Sequence, residues 1–207
     1  MLAIWHDVAA GQRSAVDEWY SREHHFERLA VPGFVQARRY ERVSGQGADL
    51  FGAYRLSSPE VLHSAAYRAR VNAPTESTRA AMRHFMNMSR TECRIVFECG
   101  RAHGGHVAAL ASADGADLDF GALCTSMIDA LGVVRATAAQ ALASTHSAAS
   151  AEQALRGAAD TRIQWALLIE AHSQAAAERV LERALALTAC RQAQQCAVYR
   201  LCFAASG

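Results

Sequence analysis

Residues 89–112 read SRTECRIVFECGRAHGGHVAALAS. The first eleven alternate and are rich in β-formers, so 89–99 predicts a strand. HVAALAS (106–112) predicts another. Between them lies CGRAHGG (99–105), whose glycines mark a turn. Two strands meeting at such a junction raise the question of whether one unit ends there and a second begins.

Reading backward from the junction gives six elements in order. LAIWHDV (2–8) is a short apolar strand, and 13–29 is a helix. GFVQARRYERV (33–43) is a strand entered through Pro32-Gly33. GQGAD (45–49) is a loop and LFGAYRL (50–56) a strand. Ser58-Pro59-Glu60 starts a helix, with Ser as N-cap and Pro at the first position. It runs to about Phe85 with a break near Pro74, and the strand 89–99 follows. Reading forward repeats the order: strand 106–112, helix 118–132 ending at Gly132, and an alanine-rich strand 133–143. A loop with a helical turn follows at 144–160. Strand 162–171, helix 173–187 capped by Ser173 and a closing strand 195–204 complete the set. The pattern is βαββαβ twice, predicting one unit over 1–101 and another over 102–207.

Each such unit forms a four-stranded sheet with both helices on one face. The other face is apolar and must be buried. Packing sheet on sheet solves this for both units, so one barrel-like body is expected. The halves differ chemically. All three prolines, four of the five tyrosines and two of the three tryptophans lie in the first. The second is alanine-rich and reads as a scaffold, which places a candidate site in the first.

Composition narrows the function classes. The net charge of the 207 residues is +1, which argues against a nucleic-acid footprint. No apolar run approaches the roughly 18 residues of a membrane span. The start MLAIWHDVAA has no basic n-region. The six cysteines form no C-x-x-C pair and read as reduced, buried small hydrophobes. The reading is cytoplasmic, with no nucleic-acid or membrane partner. P-loop, G-x-G-x-x-G, H-E-x-x-H and G-x-S-x-G motifs are absent. HGGH (103–106) reads as a turn, and no metal is expected.

The candidate residues sit mainly on DEWYSREHHFERLAVPGF (17–34). At about 100° per residue, Val16, Trp19, Phe26 and Ala30 form the buried stripe. Tyr20, His24 and Glu27 share its edge, and Arg28 lies one turn beyond His24. His25 points to solvent. His24 suits a general acid/base, since an unperturbed imidazole titrates near pH 6.5. Glu27 or Glu23 would orient it, and Tyr20 would donate to a ligand oxygen. His6 and Trp5 lie on opposite faces of the first strand. Arg38 and Arg39 lie on opposite faces of the second, so at most one faces a given pocket. His6, Trp5, Arg28, Arg39, Tyr54 and His84 are the candidate binding residues. The bland alternative is that each is a satisfied boundary or surface group.

The run Glu18-Trp19-Tyr20, Glu23-His24, Glu27-Arg28, then Val31-Pro32-Gly33-Phe34 and the basic strand Ala37-Arg38-Arg39-Tyr40, resembles EthD-like members of the dimeric α/β-barrel superfamily. The resemblance covers roughly residues 1–97. It implies an α+β fold of two tandem ferredoxin-like βαββαβ units, here forming a pseudo-dimeric α/β barrel within one chain. A further homodimer is compatible with it. The superfamily hosts isomerisation, cyclisation, oxidation and haem chemistry, so it implies a fold and not a reaction. Three readings remain open: a cofactor-independent enzyme acting on a small carbonyl-bearing or aromatic metabolite, a non-catalytic binding or structural barrel, and a haem-binding or monooxygenase-type barrel. The first needs a small-molecule ligand and no cofactor.

Overall fold

The computed structural model describes residues 1–115, 117–143, 151–187 and 190–207. Eight strands close a barrel in the order β1-β3-β2-β8-β5-β7-β6-β4. The strands are β1 (Leu2–Val8), β2 (Phe34–Gln46), β3 (Leu50–Leu56), β4 (Phe85–Gly100), β5 (His106–Ser112), β6 (Val133–Ala141), β7 (Trp165–Ala171) and β8 (Gln195–Ser206). Every neighbouring pair is antiparallel. Read as two sheets, the order is β4-β1-β3-β2 and β8-β5-β7-β6, so each half presents its strands as fourth, first, third, second. The sheets join at two seams, β2 with β8 and β4 with β6. This is the expected α+β pseudo-dimeric barrel.

The helical segments are α1 (Arg13–Trp19), a π turn (Tyr20–His24) and α2 (His25–Leu29), then a 3-10 turn (Pro59–His63), α3 (Ala65–Asn72) and α4 (Glu76–Met82). The second half adds α5 (Phe120–Ile128), α6 (Ala151–Ala154) and α7 (Gln174–Ala186). The break expected near Pro74 separates α3 from α4, but the first turn after Ser58 is 3-10 and is set apart from α3. Ser58 makes no side-chain cap; Ser64 and Thr75 cap α3 and α4 by accepting from Tyr67 and Thr78 N–H. β4 begins four residues earlier than expected. Of the 144–160 loop, residues 144–150 lie outside the described residues, and α6 supplies its helical turn.

The barrel interior explains the alanines. Trp5, Tyr40 and Phe51 from the first half fill it, with Trp5 stacked on Phe51 at 4.5 Å between centroids. Ala109, Ala111, Ala139, Ala166 and Ala197 from the second half join the same cluster. Large side chains on one sheet need small ones opposite to reach native packing density. β6 is a strand despite its alanines: Ala139 joins this interior, and Ala136 and Ala138 pack in the outer core of the second sheet. The outer sheet faces carry separate cores, each under its own helices.

Each seam carries a glycine in the left-handed region where two backbones approach. A Cβ on Gly45 (φ +84°) would meet the Cys196 carbonyl oxygen at 2.5 Å, and one on Gly100 (φ +89°) would meet that of Val134 at 2.2 Å. Gly100→Ala is expected to lose about 1–3 kcal/mol from backbone strain alone, read as a lower urea midpoint. An unchanged midpoint would mean that the β4–β6 seam relaxes freely.

Candidate functional site

The helix carrying the candidate residues does not keep one α phase. His25 N–H bonds the Tyr20 carbonyl, five residues back, which defines the π turn. Ser21 Oγ donates to the Asp17 carbonyl at 2.8 Å, a back-bond of the kind that bends helices. The widened turn holds one more residue than an α turn and retards the phase by about 100°. The buried set becomes Val16, Trp19, Tyr20, His24, His25 and Arg28. Three expectations are thereby overturned. His25 is fully buried rather than in solvent, and Phe26, at 52% exposure, and Ala30 are exposed rather than in the core. His24 is shielded, as expected, at 4% exposure.

A cavity of about 410 Å³ lies between the outer face of the first sheet and these helices. Tyr20, His24 and Arg28 line it from the helix; Ile4, Tyr54 and Arg90 from the sheet; Tyr67, Val71 and Met82 from α3 and α4. Its remaining wall comes from the second half: Glu152, Arg156 and Asp160. Arg28 and Glu152 form a buried bidentate pair, with Arg28 Nη2 donating at 2.6 Å to one carboxylate oxygen and closely to the other. Arg156 pairs with Asp160 at 2.7 Å, and Arg90 donates to the Tyr67 hydroxyl at 2.9 Å.

Two tyrosine–histidine pairs back this wall. His6 Nδ1 sits 3.1 Å from the Asp7 carbonyl, and His6 Nε2 sits 3.0 Å from the Tyr20 hydroxyl. Burial lowers the His6 pKa to about 4, so the ring is neutral near pH 7. A neutral ring facing a carbonyl through Nδ1 carries its proton there. Nε2 is then an acceptor, and Tyr20 donates to it. The expectation that Tyr20 donates to a ligand gives way: its proton is committed to His6, and it offers a lone pair. Tyr54 and His25 pair at 3.2 Å. Burial raises both tyrosine pKa values, and a shared phenolate between them is disfavoured.

His24 is the unencumbered group. Burial, reinforced by the Arg28 charge, holds its pKa well below 6.5, so it is neutral. Its Nδ1 has no hydrogen-bond partner, and neither does Nη1 of Arg28, one turn along. A buried polar atom without a partner costs about 1–3 kcal/mol, which a bound ligand can remove.

The other candidates fall elsewhere. Glu27 pairs with Arg70, away from the cavity. Arg39 binds Asp17 and Ser21 and stacks over the Tyr20 ring at 5.1 Å, supporting the wall from behind. Trp5 points into the barrel. His84 opens onto a separate outer groove beside Trp19. Arg38 faces the barrel mouth, on the opposite face from Arg39. Sequence reasoning missed Tyr67, Arg90, Glu152, Arg156 and Asp160. The one signal for the last three was their spacing of four within an alanine-rich run. All six cysteines are unpaired, and no group of three or more potential metal ligands occurs among the described residues.

No sequence-family model matches the chain, and no curated protein does. Solved structures do match. An anthrone oxidase-like protein aligns over 99% of this chain and 91% of its own, with TM-score 0.63 and 10% identity. A provisionally named chlorite dismutase aligns over 98% and 94%, with TM-score 0.54 and 16% identity. A provisionally named monooxygenase from Fusobacterium nucleatum subsp. nucleatum ATCC 25586 aligns over 99% and 93%, with TM-score 0.51 and 6% identity. The fold is the dimeric α/β barrel. At these identities the likeness concerns fold alone. This dimeric α/β barrel is built by one chain, so the two sheets need not be alike: among the described residues the buried histidines, His6, His24 and His25, belong to the first half, and His24 lines its cavity.

Two outcomes follow. Deleting Arg22, exposed within the π turn, should restore a regular helix with Trp19, Tyr20, His24, His25 and Arg28 still buried. Deleting Ala15 instead should shift the phase upstream of the turn and unfold the helix. Comparing the two melting temperatures checks the phase argument, and equal losses would refute it. The buried imidazoles also set a pH dependence. His6 titrates near 4 and His25 near 3 when folded, and His24 is also depressed. Above pH 6.5 both states are neutral and nothing is gained. Below it the unfolded chain takes up protons that the folded chain refuses, so stability falls by up to about 1.4 kcal/mol per pH unit for each ring. Urea midpoints should drop steeply from pH 6.5 to 4.5; a flat profile there would mean that the rings are solvated.

Proposed function

We propose that the chain is a small-molecule-binding barrel that performs cofactor-independent proton transfer on an aromatic, carbonyl-bearing metabolite in the cavity beside His24. The observation that carries this is that His24 and Arg28, each with a buried nitrogen that has no partner (Nδ1 and Nη1), line one cavity on successive turns. The cavity volume falls within the range of about 300–1,000 Å³ usual for small ligands. Tyr54, Tyr67, Phe85 and Met88 give it flat apolar walls, which suit a planar ring system.

In this reading neutral His24 accepts a proton from an acidic C–H conjugated with the ligand carbonyl. The C–H electron pair moves into the carbonyl, and the resulting enolate oxygen is held by Arg28 Nη1. Tyr20, whose proton is with His6, accepts from a ligand hydroxyl. The developing anion raises the His24 pKa, which favours the transfer. Glu152 keeps the Arg28 fork oriented. The anthrone oxidase-like neighbour supports the substrate class, since an anthrone is an aromatic ketone with such a C–H. The motif around Trp19-Tyr20 and His24 supports a place near the EthD-like members. The repeated strand order supports an internal duplication with units 1–101 and 102–207, and the unpaired thiols support a reducing, cytoplasmic setting.

A non-catalytic binding protein would use the same cavity without proton transfer. Haem has no observation on its side beyond a histidine in the wall; a Soret band on adding haemin would establish it. The deciding experiment uses anthrone in deuterated buffer. Binding is read by quenching of Trp19, which lies against His24, and proton transfer by deuterium exchange at the ring methylene. The wild-type protein should bind and exchange. His24→Phe should keep its melting temperature and lose exchange by about a hundredfold or more. Binding with no exchange in either protein would establish the non-catalytic reading.

A further inference from the structure

A second, smaller space opens at the end of the barrel where β1 and β5 begin. It measures about 50 Å³. Since about 10–15 Å³ holds one water, there is room for roughly four small atoms. Phe51, Val107 and Leu168 form its apolar floor, and Arg38, Glu98 and Glu170 stand on its walls. The HGGH turn closes one side: Gly104 N–H donates to Glu170 at 3.0 Å, with His103 Nδ1 3.4 Å from the same carboxylate.

The charges in this mouth do not cancel. Arg38 pairs with Glu170 at 3.0 Å, and Arg55 and Arg135 pair with Glu98 at 2.8 and 3.0 Å. Two guanidinium groups on the lining, with Arg135 beside it, meet two carboxylates. His103 leaves the sum unaltered near neutral pH, because partial burial lowers its pKa from 6.5. One positive charge is in excess.

Arg38 shows where that excess is directed. It is only 6% exposed. Its bonds to Glu170 and to the Tyr40 hydroxyl both leave from Nη1, and its buried Nε has no partner. The Nε–Nη2 edge, one of the two edges that grip a planar oxyanion through parallel N–H bonds, therefore carries no bond to protein. A buried fork with an unused edge, beside an uncompensated charge and a partly open space of a few atoms, is a receptor for a small anion.

We propose that the barrel mouth binds a small planar oxyanion of the carboxylate class, of formate, acetate or bicarbonate size, through the free edge of Arg38. The site is separate from the His24 cavity. It lies inside the barrel, whereas that cavity lies on the outer face of the first sheet.

The test titrates carbon-13 formate into the full chain at constant ionic strength set with chloride, and follows line broadening of the formate signal. Wild type should show saturable broadening. Arg38→Lys keeps the charge opposite Glu170 but loses the flat edge, and should bind about tenfold or more weakly. His24→Phe should bind as wild type does, so failure of the cavity reading and failure of this one are distinguishable. In the wild-type protein the Arg38 Nε–H resonance should also shift on adding formate, which keeps the test open if the lysine variant does not fold. Absence of saturable broadening, equal affinity in Arg38→Lys, loss in His24→Phe or an unmoved Nε–H resonance would each overturn the proposal.

Discussion

A four-stranded sheet with helices on one face has two open edges and one bare apolar face, and this chain resolves both problems with a single contact. Sheet faces sheet, and the edge strand of each half pairs with the edge strand of the other. Closure removes every free edge. The barrel interior then becomes one shared core, so neither half has a complete interior alone. The division of residue types follows from sharing. Trp5, Tyr40 and Phe51 on the first sheet are met on the second mostly by alanines, with Leu168 and Tyr199 filling the rest. What reads in the sequence as a weakened second half is the partner of a bulky first half.

The outer cavity depends on the same closure. The segment that carries Glu152 runs between β6 and β7 and reaches across the β4–β6 seam to meet Arg28. The buried pair joins positions 124 apart in sequence. Breaking one partner of such a pair leaves a buried charge alone, a loss of about 3–5 kcal/mol. The pair ties the helix of one half to the connection of the other, and so holds the far wall of the cavity.

How much of this was legible follows from the range of each interaction. Strand alternation and turn glycines are local, so the order of elements and the doubled pattern could be read directly, with boundaries off by a few residues. The cluster of Tyr20, His24, Arg28 and Tyr54 was legible because three of its members share a helix. The fate of His25 was not. It depends on a π turn, which has no periodic signature, and a single extra residue exchanged the places of His25 and Phe26. Glu152, Arg156 and Asp160 were hidden for another reason: beyond their spacing of four they carry no local signal, and they meet the first half only through the seam. The direction of the Tyr20 proton was hidden too, because it is decided by the carbonyl behind His6.

The placement of β8 between β2 and β5 bears on how the chain is made. A ribosome delivers the first hundred residues with the outer edges of β2 and β4 unpaired and with Trp5, Tyr40 and Phe51 on a bare face. Nothing in that half can cover them. β6 closes one edge once it emerges, and the other waits for β8, whose Ser206 pairs with Gln36. Such long sequence separation slows folding and prolongs exposure of sticky edges. The nascent first half is therefore a natural client for chaperones that shield apolar surface. In a crowded cell its open β2 edge is also the place where two unfinished chains would exchange strands and emerge as an entangled dimer.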